Sequence, residues 1–386
     1  MRILIVSPIA SHPQRQGNAT RIATLGDLLR SLGHTVDYLY YAMEGLTGVE
    51  EAAMRAAWDS FMHVMPTIDT TKRGAGDFYL VDDWFEQSLS DAAYNMHCRH
   101  RYDVVWVNYI WLTKVFSVFP THVRRVLDTH DVFSNRNQVF ADLALRPSWF
   151  FTTPEQERLA LCRADAIVAI QDHEAAYFRK LLRNDAGISL FTIGHISCPR
   201  FLAPRIRSNK KIRVGYIGSA NPLNVRSIED LQSRLRHLTQ VTMDYQFLLA
   251  GPICDAIDDA EAFVKLGIVD TPEDFYRDVD VIINPMPSGT GLKIKTIEAL
   301  SFGRPVAGTR AAFSGISTAQ LDAVAPPTPF RQLLTERSIF LTAEQARKVF
   351  LRYTRFQFSE LMECLRWASA PSPLSPDPKF VARVTA

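Results

Sequence analysis

Cysteine is scarce in this chain of 386 residues, and the five present, Cys98, Cys162, Cys198, Cys254 and Cys364, form no CxxC pair and no regular framework. A disulfide-scaffolded fold is therefore excluded, and a reducing cytoplasm is the expected location. Long apolar runs are also missing, so no transmembrane helix is expected. The opening Met1-Arg-Ile-Leu-Ile-Val6 is too short for a signal-peptide core and is read as a first strand. Charge of one sign is lacking too: 43 Lys+Arg against 41 Asp+Glu leave a formal +2, which gives no reason to propose a nucleic-acid partner. Residues 1–205 carry 21 Lys+Arg against 22 Asp+Glu, so net attraction to anionic lipid is absent and membrane contact would be transient.

Metal-ligand spacing is equally absent, and neither a metal nor a cofactor is expected. Asp278-Val-Asp280 has the DxD form used by metal-dependent sugar transferases, but it runs directly into an apolar strand. A helix-end or strand-entry role is the simpler reading. Asp82-Asp83 has no glycine-rich or histidine partner.

Hydrophobic residues make up 47% of the chain, enough to fill two sizeable cores. Strand and helix patterns alternate as in doubly wound α/β sheets. In the first half, candidate strands are Val36 to Tyr40, Val104 to Val107, Val126 to Leu127, Ala166 to Ile170 and Leu190 to Ile193, with Ile22, Leu25, Leu28, Leu29 and Leu32 at helical spacing before Gly33. A second alternation starts at Ile212 to Ile217 and continues through Phe247 to Ala250, Val281 to Ile283 and Pro305-Val306. The polar stretch 199–211, interrupted by Pro204, is the expected linker. These patterns give a first Rossmann-like domain over 1–203 with an insertion at about 44–101, and a second over 204–341. A capping-box helix follows at 342–368, and a Pro/Ser-rich, disordered tail at 369–386.

The most informative run is Pro285-Met-Pro-Ser-Gly-Thr-Gly-Leu-Lys-Ile-Lys-Thr-Ile-Glu298, which joins a glycine-rich loop to a helix start after the strand Asp280 to Asn284. Loops at the carboxyl ends of such strands bind ligands. Ser288, Gly289, Thr290, Gly291 and Leu292 let backbone amides approach an anion, with Lys293, Lys295 and Thr296 beside it. Glu298, three residues beyond Lys295, shares its helix face and suits a pair of ribose hydroxyls. The pattern suggests a nucleoside diphosphate. A Walker A loop is disfavoured because Ile294 occupies its second glycine.

Lys295, Glu298-Ala299 and Gly303-Arg-Pro-Val306, preceded by Gly267-Ile-Val-Asp270, Phe275-Tyr276 and Asp280 to Pro285, resemble the donor-binding block of family 4 glycosyltransferases. The resemblance implies a GT-B fold, two Rossmann-like domains facing a central cleft with a C-terminal helix crossing back to the first. It also implies a metal-independent, retaining glycosyltransferase acting from a nucleotide-sugar donor to a glycan or lipid-linked acceptor. By the same resemblance, Val269 borders the donor, and Gly17-Asn18, after the first strand, sits where the family commonly has a glycine pair that meets sugar or phosphate. His130, just past a strand end, is expected to face the transferred sugar, with Asp131 orienting it or acting as a base. Gly218-Ser219 and Asn221 open the second domain's first helix. There the family's usual cationic pair is missing: Ser219 holds the Arg position, and Arg226 stands beside the Lys position. Thr290 replaces the first of two glutamates spaced eight apart, so a divergent branch is expected. A non-catalytic nucleotide-sugar-binding subunit or an epimerase of the same fold is the alternative.

Overall fold

The computed structural model describes residues 1–370 except 15, 135, 143, 148, 184, 186, 206–210, 238–244, 259–261, 288–290 and 317–338. Three of the expected donor residues, Ser288, Gly289 and Thr290, and the tail from 371 thus lie outside the described residues. The chain divides into two compact units: Met1–Ile196 together with the chain from Phe358 onward, and Ser197–Gln357.

Unit 1 is built from β1 (Arg2–Ser7), α1 (Gly17–Ser31), β2 (Thr35–Tyr41), α2 (Gly48–Ala57), β3 (Ser60–Val64), α3 (Gln87–His100), β4 (Val104–Asn108), β5 (Arg124–Asp128), α4 (Arg136–Asp142), α5 (Pro154–Leu161), β6 (Ala166–Ala169), α6 (Asp172–Leu181) and β7 (Ser189–Thr192). Its sheet is parallel in the order β3-β2-β1-β4-β5-β6-β7. Strand β1 lies between β2 and β4, and Ile3, Leu4, Ile5 and Val6 are all buried, as expected of a parallel strand covered on both faces.

The segment 44–101, read from sequence as an insertion, is instead part of this sheet. It supplies β3 at the edge and the crossover helices α2 and α3. The reason it escapes a periodicity reading is its edge position: all five residues of β3 are half-buried, so Ser60-Phe-Met-His-Val64 shows neither a buried run nor clean alternation. Helix α2 is nonetheless set by a capping box, Thr47 accepting from the Glu50 amide and Glu50 accepting from the Thr47 amide.

Unit 2 contains β8 (Ile212–Ile217), α7 (Pro222–Arg236), β9 (Tyr245–Ala250), α8 (Ile253–Ala256), β10 (Phe263–Gly267), α9 (Pro272–Asp278), β11 (Val281–Asn284), α10 (Ile294–Ser301), β12 (Val306–Gly308) and β13 (Ile339–Leu341). The order is β10-β9-β8-β11-β12-β13, parallel except for the antiparallel β12–β13 pair. Both sheets have the order of doubly wound dinucleotide folds, in which ligands bind beyond the strands' carboxyl ends. Helix α7 begins at Asn221, whose side chain caps the Asn224 amide, with Pro222 at the first helical position.

Helix α11 (Ala343–Ser369) starts in unit 2 and ends in unit 1. Its start carries the expected capping box, Thr342 N donating to Gln345 Oε1 at 2.9 Å and Gln345 N to Thr342 Oγ1 at 3.3 Å. Its last turns bury Leu361, Cys364 and Leu365 in the core of unit 1.

Candidate functional site

The carboxyl end of the unit 2 sheet gathers a polar cluster around Lys295. Helix α10 follows β11, and its second residue extends an ammonium that donates to Tyr216 Oη and, at 2.6 Å, to Asn224 Oδ1. The same ammonium lies 4.4 Å from the centroid of the Tyr216 ring. Tyr216 comes from β8 and Asn224 from α7, so the elements on either side of the turn that starts at Gly218 converge on one cation. Asn224 is fixed in turn, its Nδ2 donating to the Ser219 carbonyl at 2.9 Å and its backbone amide to Asn221 Oδ1. Burial and the neighbouring Lys293 bring the Lys295 pKa down to about 7. The residue as a whole is only half-buried, so this shift reports the surroundings of the ammonium rather than an enclosed side chain.

The turn itself depends on close backbone approach. Gly251 has φ +86, and a Cβ there would lie 2.6 Å from the Gly218 carbonyl. Gly218 accepts from the Ile253 amide and donates to Ala250, which pins the start of the turn to β9. Gly291, shortly before α10, has φ +69, in the left-handed region.

Glu298 lies one turn beyond Lys295 and accepts from Tyr276 Oη at 3.1 Å. Burial raises its pKa, opposed by that hydrogen bond and by Arg200. Tyr276 stacks on Phe302 at 4.4 Å, and Arg200 covers the other ring's face at 4.2 Å from its centroid, so the carboxylate is held in place rather than loose. Lys293 is buried and turns its ammonium to the Gly291 carbonyl at 2.8 Å. Leu292 is buried and Val269 half-buried.

Two expected donor residues have other work. Thr296 is buried, its hydroxyl donating to the Ala312 carbonyl at 2.7 Å and accepting from Asn284 Nδ2 at 2.9 Å, which locks α10 onto β11 and leaves it facing the core. Arg226 is exposed and pairs with Asp230 one turn on, 3.3 Å away. It joins neither Lys295 nor Asn224. The Asp278-Val-Asp280 motif is likewise consumed by structure: Asp278 pairs with Arg213, and Asp280 with Arg205 at 2.8 Å. Asp82 pairs with Arg163, and Asp83 accepts from the Gly74 and Leu80 amides. Among the described residues no cluster of His, Cys, Asp and Glu could hold a metal ion.

Unit 1 assembles a second cluster where β1, β4 and β5 end. Asn18, half-buried in the first turn of α1 beside the exposed Gly17, donates to Tyr109 Oη at 3.2 Å. Tyr109 follows β4, and its ring stacks on His130 at 4.3 Å. His130 Nε2 lies 2.7 Å from Asn108 Oδ1. Asn108 spends its Nδ2 on the Val6 carbonyl at 3.1 Å, which orients Oδ1 toward the imidazole and assigns the proton of that bond to Nε2. Burial takes the His130 pKa down to about 4, so the ring is neutral at pH 7 and Nδ1 keeps its lone pair.

Beneath this cluster Asp128 accepts from Arg21 at 2.8 Å, both being almost fully buried, while Arg21 also donates to the Ile193 and Gly194 carbonyls. Among the described residues Asp131 makes no bond to His130, so the orienting role expected of it is not seen. Its carboxylate accepts from the Val132 amide at 2.9 Å and faces Arg136 at 3.5 Å. Asn108 holds the imidazole instead. Asn108 and Tyr109 were missed from sequence; the available signal was a polar–aromatic pair just past the apolar run Val104 to Val107. Glu157, also missed, accepts from the Phe133 and Ser134 amides, and burial raises its pKa to about 7.

Comparison with known proteins adds to this geometry. Residues 211–329 match the family described as glycosyl transferases group 1. No curated protein sequence matches the chain. Among solved structures, sucrose-phosphate synthase from Thermosynechococcus elongatus is similar over 96% of this chain and 100% of its own, with a TM-score of 0.63 at 15% identity. A glycosyltransferase from Rickettsia africae covers 96% and 99%, with a TM-score of 0.60 at 14% identity. HepE from Anabaena, solved with UDP, covers 95% and 100%, with a TM-score of 0.57 at 13% identity. At such identities the structures speak for the fold, while the sequence match covers the segment that carries Lys295 and Glu298. The chain is a glycosyltransferase of GT-B fold with a glycosyl transferases group 1 domain at residues 211–329.

Proposed function

We propose that the chain transfers a sugar from a nucleoside-diphosphate sugar to a glycan or lipid-linked acceptor, in the manner of family 4, with retention and without a metal. The observation that carries this reading is the Lys295 ammonium, held by Tyr216 and Asn224 at the carboxyl ends of β8 and β11, one turn from Glu298. A cation poised there meets the diphosphate, and it counts most when the leaving oxygen gains charge. Glu298 would take the ribose hydroxyls. The sugar and acceptor would be handled by unit 1, with the neutral His130 and its free Nδ1 offered to a hydroxyl of the sugar. HepE, solved with UDP, supports the choice of a uridine nucleotide as the first probe. The setting would be cytoplasmic synthesis of a polysaccharide or glycoconjugate.

A second reading has one observation in its favour. Ser219 hydrogen-bonds Asn221 and Asn224 where the resembling family has an arginine, and Arg226 is turned to Asp230, so Lys295 lacks the usual cationic helper. A subunit that binds the nucleotide sugar without turnover would tolerate that loss. Thermal stabilisation across UDP, GDP and ADP, followed by donor consumption with a panel of acceptors, separates the two. Stabilisation by one nucleotide with turnover supports the enzyme; stabilisation without turnover on any acceptor supports the binding subunit; no stabilisation by any nucleotide sinks both.

A further inference from the structure

Unit 2 carries a cationic cavity at the end of its sheet opposite the Lys295 cluster. It opens beside Asp280, which immediately precedes β11, and Pro305, which immediately precedes β12. The Lys295 cluster lies past the opposite, carboxyl ends, so the two are separated by the length of β11, roughly 13 Å. The cavity holds about 380 Å³, within the range of about 300–1,000 Å³ typical of small-molecule sites.

Three arginines line it. Arg205 pairs with Asp280 at 2.8 Å, Arg304 donates from Nη1 to the Ala203 carbonyl at 3.0 Å, and Arg347 donates from Nη2 to the Leu202 carbonyl at 2.9 Å. These bonds leave much donor capacity unused. Arg304 is only 3% exposed, yet among the described residues its Nε and Nη2 have no partner, and the Nε atoms of Arg205 and Arg347 have none either. Asp280 is the one carboxylate among the described residues lining the cavity, so three guanidiniums face a single negative charge.

A buried cation with unpaired N–H groups is costly, and native proteins leave few such groups without a ligand, ion or water. Two neutral carbonyls do not cancel the charge. Arg304 shows the imbalance: burial lowers its pKa, and Arg347, Arg205 and Arg277 lower it further against the support of Asp280. The planar N–H forks of three arginines lining one cavity suit the oxygens of a tetrahedral dianion. The apolar wall of Leu202, Pro204 and Pro305 leaves room for the body of a larger molecule.

We propose that this cavity is a binding site for a phosphoryl-bearing small molecule, with the phosphoryl group among Arg205, Arg304 and Arg347. Arg304 follows α10 directly, its amide donating to the Ala299 carbonyl at 3.2 Å. The anion would therefore sit at the far end of the helix that carries Lys295 and Glu298.

The test is calorimetric titration of the full chain in saturating UDP with inorganic phosphate, glycerol 3-phosphate and, as the uncharged control, glycerol. Binding of either phosphoryl compound, with Arg347→Gln weakening it tenfold or more and Lys295→Ala leaving it unchanged, supports the site. A tighter fit for glycerol 3-phosphate assigns it to a phosphorylated metabolite, and equal or tighter binding of inorganic phosphate assigns it to free phosphate. Arg304→Gln should abolish binding; because that residue is buried, the half-buried Arg347 provides the variant that keeps its fold. Absence of binding by both phosphoryl compounds, binding displaced by UDP, or binding indifferent to Arg347→Gln overturns the proposal. If UDP fails to bind, the same titrations without it, read through the arginine variants, still decide.

Discussion

The rings of Tyr109 and His130 lie 4.3 Å apart and within 11° of parallel, and both residues have positive φ, 72° and 62°. Non-glycine residues seldom adopt that conformation, and two of them back to back at the ends of neighbouring strands mark a place where the fold tolerates strain to aim side chains. The neighbours that enforce it are specific: the Tyr109 amide donates to the Asp128 carbonyl at 2.9 Å, and Asp128 is anchored by Arg21. Strained non-glycine residues of this kind cluster at sites where side chains are positioned for function.

Breaking that anchor should be expensive. Asp128→Asn leaves the Arg21 guanidinium buried without its counter-charge, and removal of one partner of a buried pair typically costs about 3–5 kcal/mol. The expected result is a large fall in the denaturant midpoint with an unchanged slope. A midpoint within experimental error of the parent would show that Arg21 relies on the Ile193 and Gly194 carbonyls instead.

Much of this architecture is legible in the sequence, because fully buried parallel strands are short apolar runs. Ile3 to Val6, Val104 to Val107 and Val281 to Ile283 all carry that pattern, and all are strands. The helix after Thr342 announces itself by its capping box. Edge and late strands are harder: β3 is half-buried throughout, and β13 has only three residues. At the site, Lys295 stands out because a cation in the first turn opposes the helix dipole, and Glu298 because it shares that helix face. Thr296 between them looks the same in sequence but turns to the core, since adjacent helical residues point about 100° apart. Tyr109 and Asn108 resemble ordinary core residues until the tertiary stack with His130 is known.

Glu298→Ala should weaken nucleotide binding while the fold persists. Losing hydrogen bonds to a charged carboxylate costs on the order of 1.5–3 kcal/mol, or roughly ten- to a hundredfold in Kd. Tyr276→Phe should reproduce a small part of that loss, because Tyr276 steadies the carboxylate without meeting the ligand. UDP affinity unaltered by Glu298→Ala would remove this residue from the site.

Activity should survive excess EDTA. Asp278 and Asp280, the one DxD pattern, are engaged by Arg213 and Arg205 at the amino end of β11, away from Lys295. Turnover that vanishes with chelator and returns with Mn²⁺ would contradict this.

Lys295 makes nucleotide affinity sensitive to pH. Its pKa in the free protein is brought down to about 7, so above that pH binding of a diphosphate must be accompanied by uptake of a proton. UDP affinity should therefore fall as pH rises from 7 to 9, by at most about tenfold per unit, and Lys295→Ala should flatten that slope. The same variant should cut turnover about a hundredfold, more than it weakens donor binding, if its contact strengthens as the leaving oxygen gains charge. Equal losses in both would make Lys295 a contributor to uniform binding only.

His130 should behave in the opposite way, lowering transfer on replacement by alanine while leaving UDP affinity nearly unchanged, because its cluster lies in unit 1 and Lys295 in unit 2. Its folded pKa of about 4 lies below the ordinary 6.5, so between those values the unfolded chain binds more protons and stability falls as pH drops. The shift is worth about 3 kcal/mol at most. Glu157 has the reverse slope, its pKa raised to about 7, and loses stability as pH climbs from 4.5 toward 7. Comparison of the parent with His130→Gln cancels the glutamate's contribution, since Glu157 is present in both. The parent should then lose stability faster than His130→Gln on acidification from pH 6.5 to 4, and the parent's turnover should show no inflection from His130 between pH 5 and 8. A histidine-dependent inflection near pH 6.5 would mean that the ring is solvated and charged in the working enzyme, and that burial does not hold it neutral.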